Sequence, residues 1–249
     1  MGTLYVVATP IGNLEDITLR AIRILKEVDL ILCENVSESH RLLKHYDIKT
    51  ATTNYFSNSK LDKIDKIIQM LEEGKNLALI SDAGTPCVSD PGSLLIERLY
   101  KYNTGLSLNP FPQERETTQK IQVVSIPGPT AVTALYSIAG VTGNRFAFYG
   151  FAPQKKGRET FITKAIYECI ENDIPIIFYE SVHRIEKCLL QLAAMDCEKV
   201  KITIGRELTK IYEEVVQGDI DFVIDYFNKN KDKIRGEFVV MLSLKKLKL

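Results

Sequence analysis

The sequence predicts an α/β fold in two parts, the first half with a mostly parallel sheet and the second with a mixed sheet. Up to residue 126, apolar runs of strand type alternate with helical patterns, as in parallel sheets with right-handed crossovers. In the second half, mixed strand connections favour an α+β domain. The 249 residues are enough for two domains with separate cores. We predict domains over residues 1–127 and 128–249, with the boundary near Pro127-Gly128-Pro129.

The elements of the first half follow from the spacing of their apolar residues. Strands are predicted over residues 4–8, 29–33, 76–80 and 121–126. Helices are predicted to begin near Asp16, Ser37, Leu61 and Ser93. Asp90 is expected to cap the last of these helices, with Pro91 at its first position, where the missing N–H is not needed.

The second half is interpreted in the same way. Strands are expected over residues 145–151, 174–179, 199–205, 213–217 and 236–244. Helices are expected from Glu159, from Ser181 to Leu192, and between the last two strands. Residues 103–120 are polar, contain Pro110 and Pro112, and are expected to form a surface excursion.

The composition limits the function classes. The 32 basic and 32 acidic residues cancel, which argues against nonspecific coating of nucleic acid or of an anionic membrane. Five cysteines without a CxxC pair favour reduced thiols over a disulfide framework or a zinc site. The start lacks the pattern of a signal peptide, and no apolar run reaches the length of a membrane span. We therefore expect a soluble cytoplasmic protein without a metal ion or a membrane partner.

The most informative loop covers residues 81–92, Ser-Asp-Ala-Gly-Thr-Pro-Cys-Val-Ser-Asp-Pro-Gly, and is called the opening loop below. It follows a buried strand, and the carboxyl ends of such strands are where open α/β sheets bind ligands. It contains two aspartates and no lysine or arginine. It matches neither the GxxxxGK[ST] phosphate loop nor the GxGxxG dinucleotide loop. The opening loop therefore suits a neutral or cationic ligand approached closely by backbone.

Further loops follow other predicted strands. They cover residues 9–13, 127–131, 178–184 and 206–210. Each alone is also compatible with a purely structural turn, because turns need glycine and proline. Taken together and in this order, the loops are much more specific.

These loops resemble those of the tetrapyrrole-methylase superfamily of S-adenosylmethionine-dependent methyltransferases. The resemblance is strongest to the branch that methylates the ribose 2′-oxygen of a cytidine in 16S ribosomal RNA. The matching segments are 7–18, 81–86, 89–92, 126–129, 178–181, 183–184 and 206–210. The family implies two α/β domains in a tetrapyrrole-methylase-like fold, with S-adenosylmethionine bound in the cleft between them, and a homodimer.

The resemblance also implies cofactor contacts. They are Pro10, Asp82, Ala83, Gly84, Thr85, Val88, Thr130, Ala131, Tyr179, Glu180 and Leu208. A loop without lysine does not repel the sulfonium cation of the cofactor. Pro10 and Val88 are the residues that could instead only shape turns.

Methyl transfer is an in-line displacement, so positioning supplies much of the rate. The ribose hydroxyl must also lose its proton to an acceptor. The candidate acceptors are Glu34, Glu180, His183 and Glu207. Arg206 or Lys210 would polarise the hydroxyl. As alternatives, His183 fits a helix-start residue, and Glu207 with Arg206 or Lys210 fits an interdomain ion pair.

The candidate RNA contacts are basic. They are Arg41, Lys155, Lys156 and Arg158. Charged loops are also common as solvated surface; the tail from Lys245 fits that interpretation. Residues 34–41 depart from the family pattern Glu-Asp-Thr at Asn35, and Cys87 stands where the family has glycine. Two alternatives therefore stay open, a tetrapyrrole methyltransferase of corrinoid or sirohaem synthesis and a cofactor-binding module that has lost catalysis.

Overall fold

The computed structural model describes residues 1–56, 61–104, 120–195 and 197–245. The chain divides into two compact units, Met1–Thr130 and Ala131–Leu249. This division lies three residues beyond the boundary given above. Most of the expected 103–120 excursion, residues 105–119, and the last four residues of the tail lie outside the described residues.

The first unit contains a parallel sheet with helices on both faces. The strands are β1 (Thr3–Val7), β2 (Leu30–Cys33), β3 (Thr52–Asn54), β4 (Leu77–Ile80) and β5 (Gln122–Ile126), in the order β3-β2-β4-β1-β5. The helices are α1 (Leu19–Glu27), α2 (Val36–His45), α3 (Leu61–Glu72) and α4 (Ser93–Asn103). Every residue of β4 is buried. Its alternate residues join two cores, Ala78 and Ile80 on one face and Leu77 and Leu79 on the other.

The predicted cap of α4 is wrong. Gly92, not Asp90, is the N-cap, with φ at 136° and no side-chain cap bond. A Cβ at Gly92 would lie 2.6 Å from Cys87 Sγ and 2.7 Å from a Leu79 methyl carbon. Cys87 and Ser89 also have positive φ, at 70° and 71°. The opening loop therefore turns back on itself before the helix starts, and Asp90 stays in the loop.

The second unit contains a mixed sheet. The strands are β6 (Ala147–Phe151), β7 (Ile176–Ser181), β8 (Val200–Arg206), β9 (Glu214–Gly218) and β10 (Glu237–Leu244), in the order β6-β7-β10-β8-β9. Of the strand pairs that the described residues form in this second sheet, only β6 and β7 are parallel. The helices are α5 (Ala131–Ile138), α6 (Arg158–Asn172), α7 (Ile185–Ala193) and α8 (Ile220–Lys229). The predicted combination of a parallel and a mixed sheet is confirmed.

Strand direction determines which residues of the second unit meet. Strand β10 is antiparallel to both β7 and β8, so its first residues lie beside the last residues of those strands. Glu237 pairs with Ser181, and Phe238 pairs with Arg206.

None of the helices formed by the described residues has the length and apolar character needed to cross a membrane.

Candidate functional site

Three loops of the first unit meet at the carboxyl ends of β1, β4 and β5. The backbones of Thr9 and Gly84 exchange hydrogen bonds, with N–O distances of 2.8 and 3.0 Å. The Thr9 hydroxyl donates to the Ser81 carbonyl at 3.2 Å. The Thr85 hydroxyl donates to the Pro129 carbonyl at 3.2 Å. The loops that the sequence singled out as 9–13, 81–92 and 127–131 are thus held together.

Two glycines allow the backbone of these loops to approach closely. Gly84 has φ at 79°, which favours glycine. A Cβ at Gly128 would lie 2.9 Å from the Ala8 Cβ. Of the other predicted cofactor contacts here, Ala83 is exposed, Thr85, Val88 and Thr130 are half-buried, and Pro10 is buried. A ligand in this loop cluster would therefore meet backbone and small side chains.

Carboxylates tie the end of β2 to the opening loop. Glu34 Oε2 accepts from the Asp82 backbone N–H at 3.2 Å. Asp82 Oδ1 accepts from the Asn35 backbone N–H at 3.1 Å. The Asn35 side chain accepts from the Ser37 N–H at 3.0 Å and caps α2. Asparagine and aspartate are comparable caps, so the departure from the family pattern at this position is compatible with the same helix start.

The opening loop carries negative charge that other described residues do not neutralise. Burial, followed by the charge of Glu34, raises the pKa of Asp90 to about 6, although a hydrogen bond with Ser81 opposes the shift. Burial and the charge of Glu34 also raise the pKa of Asp82. The charged groups that act on these two aspartates are all acidic. The arrangement favours a cationic ligand.

Asp90 was missed as a functional candidate because its position before a helix fitted a cap. The signal that could have found it was the presence of a second aspartate in a loop without lysine or arginine.

Cys87 fits the loop with its side chain half-buried, and burial raises the pKa of its thiol. Within the part of the chain that the structure describes, no group of three or more His, Cys, Asp or Glu could hold a metal ion.

In the second unit, Glu180 belongs to a buried ion-pair cluster. Its side chain is fully buried, and one oxygen bonds the buried Arg158 guanidinium. The other oxygen lies 3.1 Å from Arg184 Nε and accepts from the Ser181 N–H at 2.8 Å. Arg158 also donates to Gln191 Oε1 at 2.8 Å. Both carboxylate oxygens are therefore engaged.

This cluster argues against three predicted roles, two for Glu180 and one for Arg158. A carboxylate that already accepts from several donors is a poor proton acceptor or cofactor contact, so we reassign Glu180 to a structural role. Arg158 is only 3% exposed and is therefore not part of a surface that RNA could reach. Lys155, Lys156 and Arg41, by contrast, are exposed.

The loop after β8 is held by a second ion-pair cluster. Lys210 Nζ lies 2.7 Å from Glu207 Oε1 and 2.9 Å from Glu237 Oε2. Burial alone would raise the pKa of Glu207, but hydrogen bonds from Lys210 and the Glu237 N–H outweigh it and lower the pKa. Burial alone would lower the pKa of Lys210, but its hydrogen bonds to both carboxylates outweigh it and raise the pKa. Both groups are therefore held charged, and the Glu207–Lys210 pair lies within the second unit.

The backbone of this loop is in an unusual conformation. Glu207 and Thr209 have φ at 51° and 67°. Gly236 packs so closely that a Cβ there would lie 2.3 Å from the Glu207 carboxyl carbon. The Arg206 guanidinium donates to the Tyr212 carbonyl at 3.0 Å. Strained non-glycine residues held by surrounding contacts are enriched at functional sites.

The end of the second sheet at which β7 and β8 finish also holds Tyr179, His183 and Leu208. His183 is exposed in the turn between β7 and α7. Tyr179 packs edge-on against Phe148 and Phe151, with centroids 4.9 and 5.1 Å apart. Leu208 is buried, and Ala131 begins α5.

Comparison with known proteins assigns the family. The sequence profile of the tetrapyrrole (corrin/porphyrin) methylases matches residues 3–223. Because this match spans most of the chain, the protein belongs to the tetrapyrrole methylase family. The predicted class of enzyme, an S-adenosylmethionine-dependent methyltransferase, is confirmed by this membership together with the relatives described next.

Several curated relatives carry the name "Ribosomal RNA small subunit methyltransferase I", and two of them are described here. The relative from Thermotoga maritima is 36% identical over 243 residues, which cover 98% of this chain and 99% of the relative. The relative from Leptospira biflexa is 39% identical over 256 residues, with 100% of this chain and 93% of the relative covered.

Solved structures share the fold at low identity. A crystal structure of diphthine synthase has a TM-score of 0.67 at 13% identity, covering 99% of this chain and 92% of that chain. Uroporphyrin-III C-methyl transferase from Thermus thermophilus, in complex with S-adenosyl homocysteine, has a TM-score of 0.57 at 17% identity, covering 97% of each chain. These likenesses confirm the predicted fold class.

Proposed function

We propose that this chain transfers a methyl group from S-adenosylmethionine to the ribose 2′-oxygen of a cytidine in the 16S ribosomal RNA of the small subunit. The shared name of its relatives supports small-subunit ribosomal RNA as the substrate. The choice of cytidine and of the 2′-oxygen rests on the resemblance of segments such as 178–184 and 206–210.

The observation that carries the proposal is the uncompensated negative charge of the opening loop. S-adenosylmethionine supplies an electrophilic methyl group on a sulfonium cation. Asp82, Asp90 and Glu34 would attract that cation, and the backbone around Gly84 and Gly128 would allow close approach. We propose that the further cofactor contacts are Ala83, Thr85, Val88, Thr130, Ala131, Tyr179 and Leu208.

For the hydroxyl, we propose that Lys210 stabilises the developing charge on the 2′-oxygen, because its ammonium group is fixed and charged. Of the predicted proton acceptors, Glu180 and Glu207 are engaged in ion pairs. We place the acceptor at His183, which is exposed near the same end of the second sheet as Lys210. Glu34, which accepts from the Asp82 N–H, is then assigned to the cofactor site and not to proton acceptance.

Label transfer tests the substrate class. The purified chain is incubated with labelled S-adenosylmethionine and small ribosomal subunits from a strain without the modification. Label in 16S ribosomal RNA is the expected result. Label only in a tetrapyrrole precursor offered in parallel would replace the proposal with the corrinoid or sirohaem alternative. Cofactor binding without any label transfer would support the alternative of a cofactor-binding module that has lost catalysis.

We also propose that the protein acts as a homodimer in the cytoplasm, where small ribosomal subunits are assembled. Sedimentation equilibrium is expected to give twice the mass of one chain. A single-chain mass at all concentrations would contradict the dimer without affecting the proposed reaction.

Cofactor binding is expected to weaken as the pH falls below about 6. The raised pKa of Asp90 makes its carboxyl neutral below that pH, and a neutral group does not attract the sulfonium. A bound cation favours the charged form of the Asp90 carboxyl, so cofactor binding near pH 6 is expected to release a proton. The affinity for the cofactor is expected to level off above that pH, where the carboxyl is already charged. Calorimetric titration from about pH 5 to about pH 8 measures both effects.

The matched variants are Asp90→Asn and Asp65→Asn, the latter at an exposed aspartate on α3. Asp90→Asn is expected to bind more weakly above pH 6 and to lose the pH dependence. Asp65→Asn is expected to behave as the wild type. A wild-type pH profile in Asp90→Asn would exclude Asp90 from the cofactor site.

Replacing Lys155 and Lys156 together by glutamine is expected to weaken ribosomal RNA binding and to leave cofactor affinity unchanged. Both side chains are exposed, and each phosphate contact contributes about 0.7–0.9 to the slope of log affinity against log salt. Filter binding at several salt concentrations measures the slope. The control replaces the exposed Lys164 and Lys229. Equal slopes in both double variants would remove the two lysines from the RNA interface.

A further inference from the structure

A cavity of about 700 Å³ opens in the second unit at the end of the sheet where β6 and β7 begin and β10 ends. The loop of residues 141–145 forms one side, and Ser243 and Lys245 form another. Ser243 lies six positions after Glu237 on β10, a distance of about 20 Å along a strand. The cavity is therefore remote from Glu207 and Lys210.

Ser243 is a buried polar residue that the fold itself does not explain. The residue is 1% exposed, and its Oγ has no hydrogen-bond partner among the residues that the structure describes. Buried hydroxyl groups in native proteins are nearly always bonded, so an unpaired one that lines a cavity points to a ligand there.

The charged groups around the cavity favour an anion. Arg145 and Lys245 line it, and Lys201 is paired with Ser243 across β8 and β10, which places both side chains on one face. Two acidic groups oppose them: Asp173 lines the cavity, and Asp219 lies 2.7 Å from Lys245 Nζ. One Arg145 nitrogen donates to the Asn172 carbonyl at 3.4 Å. A guanidinium has five N–H donors in all, which suit two oxygens of one anion.

We propose that this cavity binds a phosphate group, with Arg145 and Lys245 as cationic contacts and the Ser243 hydroxyl as a hydrogen-bond donor. The phosphate belongs either to the RNA backbone or to a free nucleotide. Only the RNA source rests on the proposed function. Phosphate contacts position a nucleic acid without reading its sequence, which suits a site remote from the methyl-transfer residues.

Calorimetry on the full chain tests the site with inorganic phosphate, cytidine monophosphate and a short single-stranded RNA as probes. The wild type is expected to bind all three. Arg145→Gln is expected to weaken binding about tenfold or more, since charge-assisted bidentate bonds are the strong ones. Ser243→Ala is expected to weaken it by a smaller factor and to fold normally, because it removes only an unpaired hydroxyl. The control is Lys187→Gln, at an exposed lysine on α7.

Absence of binding by the wild type, or equal binding by Arg145→Gln and wild type, would overturn the proposal. Methylation of small subunits by the same variants identifies the source. A raised KM for subunits with unchanged kcat and cofactor affinity assigns the phosphate to RNA, and unchanged methylation assigns it to a free nucleotide. If neither the wild type nor any variant methylates subunits but the wild type still binds phosphate, the proposed reaction is contradicted and the proposed phosphate site is supported.

Discussion

Replacing Glu180 by glutamine is expected to lower the free energy of unfolding by about 3 kcal/mol or more, because it leaves buried positive charge without a counter-charge. Arg158 is buried against this carboxylate, and Arg184 lies on its other oxygen. A glutamine amide has one acceptor oxygen and no charge, so it cannot neutralise two guanidinium groups. Breaking one side of a buried ion cluster is among the most destabilising single changes known in proteins.

Denaturant unfolding followed by circular dichroism measures this effect. Glu186→Gln is the matched control, since Glu186 is an exposed glutamate on α7 that pairs with Lys231. Exposed pairs contribute at most about 1 kcal/mol, so the control should unfold almost as the wild type. A Glu180→Gln protein with wild-type stability and no methyl transfer would restore Glu180 as the proton acceptor.

Replacing Lys210 by methionine is expected to lower kcat about 100-fold or more and to leave the affinity for S-adenosylmethionine unchanged. Methionine keeps the length of the side chain and removes its charge. The ammonium group lies between Glu207 and Glu237, and its raised pKa keeps it charged at neutral pH. Removing a fixed charge that acts on the transition state lowers kcat rather than substrate binding.

Single-turnover methylation of small subunits separates the chemical step from product release. Lys210→Arg keeps the charge and is expected to recover part of the rate. Lys229→Met is the control, because Lys229 is exposed and paired with Asp225 on α8. If Lys210→Met were as fast as wild type, or if its loss of activity matched a loss of folded protein, Lys210 would be a structural residue only.

The sequence was sufficient to predict the central strands because burial on both faces leaves a clear apolar run, as in β4. Strand β3 was not predicted, because Thr52-Thr53-Asn54 has no apolar residue and becomes a strand only by pairing with β2. Helix α5 was also not predicted, because eight mostly apolar residues give no clear helical period. The spacing of apolar residues along the chain carries no signal for contacts with segments that are distant in sequence.

The candidate site, like the fold, could be predicted only in part from the sequence. The motifs were sufficient to select the loops that the first unit holds together around Thr9 and Gly84. They did not reveal that Glu180 pairs with Arg158, 22 residues earlier, or that Glu237 joins Lys210 from 27 residues later. A sequence motif gives the type of side chain, but the partner that determines its charge and freedom comes from the fold.

Nucleoside analysis of the product tests the central claim most directly. The chain is incubated with S-adenosylmethionine and unmodified small subunits, the 16S ribosomal RNA is digested to nucleosides, and the products are separated and identified by mass spectrometry. We expect one new nucleoside, 2′-O-methylcytidine, whose extra methyl group stays with the ribose fragment. A methyl group on a base, on another nucleoside, or on no RNA nucleoside at all would contradict the proposed reaction.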